Sequence, residues 1–233
     1  MNCLFFTRVL PVLVAVSAGS LLAGPAVAQP INFRVRPAEH SRELHLGVGF
    51  DSAFVAAVGY SHGVRLFDQG IILTGDLEVP WADFDLADFR LRVGSLVPIA
   101  GRGAWRITGK ALPLVRGTRN EFSHMTSVGI DAGLMGGYYS PSWFVAAEAG
   151  IDWAAATYIK HSERYRETTY AGAKDGWYST TGANVYAGLL GGYSFQSWDI
   201  VLRAGQMRDY QLKTPFVPLY LAAGLNIRLP DAP

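Results

Sequence analysis

The sequence has little charge, almost no lysine and a single cysteine. Charged residues make up 17% of its 233 positions, against about 25% in an ordinary soluble domain. Lysine stands only at Lys110, Lys160, Lys174 and Lys213. A surface wetted on all sides needs more than this, so something other than water has to cover part of it. The net charge of +1 removes the electrostatic case for a nucleic-acid partner. Cys3 sits in the N-terminal segment, so the rest of the chain can hold no disulfide, thiol nucleophile or thiolate metal site. No long stretch shows the 3.6-residue period of an amphipathic helix. A Gly-x-Ser-x-Gly turn and metal-spaced histidines are missing too, so no catalytic residue, cofactor or metal is expected.

The N-terminus carries Arg8, an apolar run Val9-Leu10-Pro11-Val12-Leu13-Val14-Ala15-Val16 and a small-residue exit, Pro25-Ala26-Val27-Ala28-Gln29. These are the three parts of a secretory signal, with cleavage expected after Ala28. Pro11, Ser17, Gly19 and Ser20 break the run too often for a membrane helix of about 20 apolar residues. Gln29 stands where a lipoprotein would need cysteine. The expected layout is a signal peptide over 1–28, a short leader over 29–42, one β-domain over 43–229 and a tail over 230–233.

From Glu43 onward the sequence alternates strictly. The pattern predicts ten strands, at 43–51, 54–66, 71–81, 88–98, 104–115, 124–138, 143–158, 178–194, 198–207 and 216–229. One parity of each is apolar, as in Ile71/Leu73/Leu77/Val79/Trp81 and Trp143/Val145/Ala147/Ala149/Ile151/Trp153. The other parity collects the charges Asp76, Glu78, Arg90, Arg92, Arg106, Lys110, Asp131, Glu148, Asp152, Asp199, Arg203 and Arg228, together with many glycines. Alternation alone does not say which face points inward. The glycine-rich polar face suits a crowded, tightly curved lumen. Aromatic residues mark both ends of the apolar stripes: Trp105, Tyr138, Trp143, Tyr193 and Trp198 at one end, Phe54, Trp81, Phe89 and Trp153 at the other. Two such girdles are what two membrane–water interfaces select. The fold class expected is therefore all-β: a closed antiparallel up-and-down transmembrane β-barrel, apolar side outward.

With this pattern the chain resembles the superfamily of small bacterial outer-membrane β-barrels, opacity- and porin-like. The resemblance spans signal and barrel, and includes a final strand, Tyr220-Leu221-Ala222-Ala223-Gly224-Leu225-Asn226-Ile227-Arg228-Leu229, similar to the one that barrel-assembly machinery reads. It departs in ending on Leu229 rather than an aromatic, before Pro230-Asp231-Ala232-Pro233. The resemblance implies a Gram-negative outer-membrane location reached by general secretion, with short periplasmic turns and longer outer loops. It implies outer-membrane lipid, the assembly machinery and a surface ligand as partners.

Three kinds of function follow from the residues. The lumen charges Asp76, Glu78, Arg90, Arg92, Arg106, Lys110, Asp131, Glu148, Asp152, Arg203 and Arg228 form basic and acidic walls that can pair across strands. Plausible registers bring Glu78 to Arg92, Arg92 to Lys110, and Arg106 to Asp131. A filled, salt-bridged lumen with a structural or cell-surface role is the first reading, and a narrow charge-lined passage for small ions or solutes the second. The longest outer loop offers Tyr165, Arg166, Tyr170 and Trp177, of types favoured at binding hot spots. The run Asp83-Phe84-Asp85-Leu86-Ala87-Asp88 lacks the glycine and final glutamate of a calcium loop and reads as a solvated loop. A third reading comes from barrels of this size that are proteases or lipid A acyl hydrolases. Asp83, Asp85, Asp88, His124 and His161 can reach the outer rim, but Ser123-His124 and His161-Ser162 are adjacent pairs that would point to opposite faces of a strand.

Overall fold

The computed structural model describes residues 31–33, 42–51, 53–66, 69–81, 87–209 and 218–230. The signal at 1–28, most of the leader, Asp83 and Asp85 lie outside these residues. Ten strands follow one another: β1 (Arg42–Asp51), β2 (Ala53–Leu66), β3 (Gln69–Pro80), β4 (Phe89–Arg102), β5 (Trp105–Arg119), β6 (Ser123–Tyr139), β7 (Trp143–His161), β8 (Gly176–Ser194), β9 (Trp198–Asp209) and β10 (Leu219–Arg228). Each pairs antiparallel with the next, and β1 pairs with β10 to close the barrel. Closure leaves no sheet edge, so the ladder satisfies the strand backbones without water.

The alternation of the sequence becomes an inside-out distribution. Trp105, Leu189, Leu202 and Leu221 are each about 60% exposed on the outer face, whereas Arg92, Asp131 and Asp199 have no exposure at all. The strand carboxylates Glu43, Asp76, Glu78, Asp131, Glu148, Asp152 and Asp199 are all buried inside the barrel. A fold that presents its leucines and buries its ions is matched to hydrocarbon, not water. From Trp143 to Trp153 on β7, residues rising about 3.3 Å each at a tilt of about 40° climb about 25 Å, the height of a membrane barrel's apolar band. The fold is a transmembrane β-barrel.

The start of β1, the end of β10 and the strand ends that flank the β2–β3, β4–β5, β6–β7 and β8–β9 connections share one mouth, called here the terminal mouth; the opposite strand ends define the loop mouth. The β4–β5 turn differs from the sequence reading. It closes at Gly103, whose φ of +62° suits glycine, so Arg102 pairs with Trp105. A bulge between Pro98 and Ala100 then shifts the ladder. Arg92 consequently faces Leu114, and Lys110 faces Leu96, which corrects the expected Arg92–Lys110 pairing.

Within the span expected as leader, Ile31–Phe33 enter the terminal mouth. Ile31 is buried among Ile72, Leu96, Tyr139, Phe144, Leu190 and Val201, with Phe33 packed against the same cluster. The Phe33 ring meets Tyr139 edge-on at 5.4 Å. Asn32 Nδ2 donates to the Ser140 carbonyl at 2.9 Å and to Ser194 Oγ at 2.8 Å. At the loop mouth, the β7–β8 connection holds a short helix, α1 (Glu163–Thr168), where the sequence pattern predicts a loop. Ser162 caps it by accepting the Tyr165 N–H at 3.1 Å, with Glu163 in the first turn, as helix N-termini favour.

Candidate functional site: the lumen

The charged side chains reach the lumen because each sits on the inward parity of its strand: acids on β3, β6 and β7, bases on β4 and β5, and both signs on β9. On β3 and β4, Asp76 is the register partner of Arg92, and Glu78 of Arg90. Arg92 Nε donates to Asp76 Oδ1 at 2.8 Å. Its Nη2 lies 2.5 Å from Glu78 Oε1, and Arg90 Nη1 is 3.3 Å from Glu78 Oε2. Arg92 Nη1 approaches Asp131 Oδ2 at 3.8 Å. On the far side of Asp131, Lys110 Nζ closes to 2.9 Å. Arg203 on β9 then grips Glu148 on β7 in a bidentate pair, one arm at 2.8 Å, the geometry that makes arginine–carboxylate pairs strong. These ions form a continuous belt across the lumen.

Two residues of the belt carry no formal charge. Tyr186 Oη donates to Asp131 Oδ1, and Tyr220 Oη to Glu148 Oε1, both at 2.7 Å. The Tyr186 ring lies 4.9 Å from Lys110 Nζ and 5.7 Å from Arg203, and Tyr220 is 5.1 Å from Arg203, within cation–π range. Glycine provides their beds. A Cβ on Gly150 would strike the Tyr186 phenol, and one on Gly188 or Gly205 the Tyr220 phenol. Sequence reasoning missed both tyrosines, although each sits on the polar parity of its strand.

Other members fall differently from expectation. Arg106 does not join the belt: it faces Gly101 and Gly137 beside the terminal mouth, and its hydrogen bond is to the Trp105 carbonyl at 3.4 Å. Asp131 instead sits opposite Leu112 and Asp152. Asp152 pairs with Arg116, which lies past the predicted strand end at 115 because β5 runs on to Arg119. Arg228 pairs with Asp199 near the terminal mouth and donates to the carbonyls of Phe195 and Gln196. His45 is held between Asn226 and Ser61, each at 3.0 Å. Toward the loop mouth a cavity of about 60 Å³ is lined by Glu78, Asp88, Arg90 and Arg116.

Of the four loop residues, Tyr165 is buried against Phe122 and His161, because it anchors α1; this corrects its expected surface role. Trp177 opens β8 and packs against Tyr158 at 5.6 Å on the outer face of the barrel. Arg166 is tied to Asp175 at 2.7 Å, and Tyr170 is exposed. The candidate catalytic residues do not assemble. His124 is exposed opposite Lys160 on the outer face, Ser162 is engaged as the cap of α1, and Asp88 accepts the Arg119 N–H at 2.5 Å. No group of histidines and acids suited to a metal occurs among the described residues.

Asp175 pins this loop. Its Oδ1 accepts the His161 backbone N–H at 2.8 Å, the Arg166 guanidinium at 2.7 Å and the His161 ring at 3.2 Å. The first of these chiefly, then Arg166, holds its carboxyl below the usual carboxylate range. A depressed acid stabilises the fold above its unfolded value of about 3.9, and that support is lost as pH falls through the lower folded value. Protease cleavage between residues 162 and 175 should therefore accelerate below about pH 4. Asp175→Asn should cleave fast already at neutral pH, and equal rates for variant and native protein there would refute the clamp.

No family model and no curated protein matches the sequence. Among solved structures the barrel is similar to a KdgM porin, with 8% identity and a TM-score of 0.39, covering 81% of this chain and 99% of that one. It is also similar to the outer membrane protease OmpT from Escherichia coli, with 8% identity and a TM-score of 0.38, covering 82% of this chain and 94% of that one.

Proposed function

We propose that the chain is an integral outer-membrane protein whose lumen is closed, and which serves as a stable support for its outer loops and outer face. The observation that carries this reading is the complete burial of Arg92 and Asp131 at mid-lumen. No water-sized path touches either side chain, and ten strands lie near the filled limit of barrel size. The terminal mouth then corresponds to the periplasmic side and the loop mouth to the cell surface. A second reading, a narrow passage for small ions, is favoured by the cavity lined by Glu78, Arg90 and Arg116, which is charged as a passage entrance would be. Planar-bilayer recording separates them. The native protein is expected to give no conductance steps, together with surface binding lost on deleting 162–174; reproducible ion-selective steps from native protein would establish the passage instead.

A further inference from the structure

Arg119, His124 and Lys160 lie in one lateral row on the outer face. Arg119 on β5 is the register partner of His124 on β6, which is the partner of Lys160 on β7. All three are exposed, and two strand spacings of about 4.8 Å place the ends of the row about 10 Å apart. The neighbouring acids are already engaged: Glu121 binds Arg164 at 2.6 Å, and Asp88 holds the Arg119 backbone N–H. Among the described residues no carboxylate pairs with the three side chains. The row thus offers two cations and an imidazole, unneutralised, on a face otherwise built for lipid.

Its height narrows the ligand. Lys160 lies seven residues beyond Trp153 on β7, one of them the bulged Ala155, so it stands about 15 Å above the hydrocarbon edge at the rise and tilt of a barrel strand. A phospholipid headgroup layer is only about 5–8 Å deep, so phospholipid phosphates stay below the row. Tyr158 and Trp177, exposed one pleat beneath it, present amphipathic rings of the kind that sit among headgroups. We infer that Arg119, His124 and Lys160 bind the phosphates of a tall sugar headgroup, that of a phosphorylated glycolipid in the outer leaflet. The inference rests on the outer-membrane reading. The cations supply charge-assisted hydrogen bonds to phosphate oxygens, and the two rings lie where the sugars nearest the hydrocarbon would pass.

The test uses the full folded barrel in neutral detergent, titrated with dye-labelled bisphosphorylated glycolipid bearing a sugar core and followed by anisotropy. At about fivefold per cation, the Arg119→Ala/Lys160→Ala double variant should bind about 25-fold more weakly. The glycolipid stripped of phosphate should bind weakly to native and variant alike, and phosphatidylglycerol and inorganic phosphate should not compete. Equal affinity of variant and native protein, undiminished binding of the stripped glycolipid, or competition by either control would overturn the assignment. Migration of the unheated protein on gels reports folding of the variant, and Arg119→Gln/Lys160→Gln replaces it if the alanine pair does not fold. Folding of the native chain into phospholipid vesicles tests the membrane reading separately, so each can fail without the other.

Discussion

Replacing Arg92 by methionine is expected to lower unfolding stability in micelles or vesicles by about 3–5 kcal/mol, the cost of stripping one partner from a buried ion cluster. The reason is the uneven sharing of acids around it. Glu78 keeps Arg90, and Asp131 keeps Lys110 and Tyr186. Asp76 has Arg92 as its cation among the described residues, so the variant leaves a buried carboxylate without a counter-ion. Adding Asp76→Asn to Arg92→Met should therefore recover most of the loss, whereas removing only one acid of a well-shared pair should matter less. Urea titrations of the single and double variants read the coupling directly. A loss below about 1 kcal/mol, the size of an exposed pair, would mean that water reaches the belt and that the lumen is open at that level.

The outward face was legible in the sequence because it obeys one rule, an apolar residue at every second position, and period 2 survives small errors of register. Strand number and the side each charge occupies followed from it. Pairing partners did not, because they depend on where a hairpin turns. Placing Arg92 opposite Lys110 requires a β4–β5 turn centred on Gly101, whereas the chain turns at Gly103 and bulges at Ile99, so both residues meet other neighbours. Arg116 was lost because the apolar pattern of β5 fades above the membrane while its hydrogen-bonded ladder continues to Arg119. Tyr186 and Tyr220 were hidden by residue type. A tyrosine on a charged parity beside Gly188 and Gly205 is a lumen residue whose hydroxyl needs an acceptor, and that combination was available to be read. Ile31–Phe33 carried no local signal at all: three residues have no periodicity, and only the shape of the mouth that receives them gives them a place.

The proposed closed lumen rests on two seals, and the two should be separable by conductance. At mid-height the seal is electrostatic, with Arg203 and Glu148 bridging β9 and β7 beneath Tyr220. At the terminal mouth it is apolar, with Ile31 and Phe33 set against Tyr139 and Phe144. Glu148→Ala/Arg203→Ala removes both ends of an ion pair at once, which avoids an orphaned charge, and vacates the volume of two long side chains. Ions entering from the loop mouth would then still meet a dry constriction, and hydrophobic constrictions gate by excluding water. Ile31→Ser/Phe33→Ser wets that constriction but leaves the belt in place. Neither pair alone is expected to conduct in planar bilayers, while the four substitutions together should give steady single-channel steps. Steps from the Glu148→Ala/Arg203→Ala protein alone would show that Ile31–Phe33 leave the mouth in the membrane. Silence from the fourfold variant would show that Lys110, Asp131 and Tyr186 suffice to fill the barrel, since those three side chains remain locked together across β5, β6 and β8.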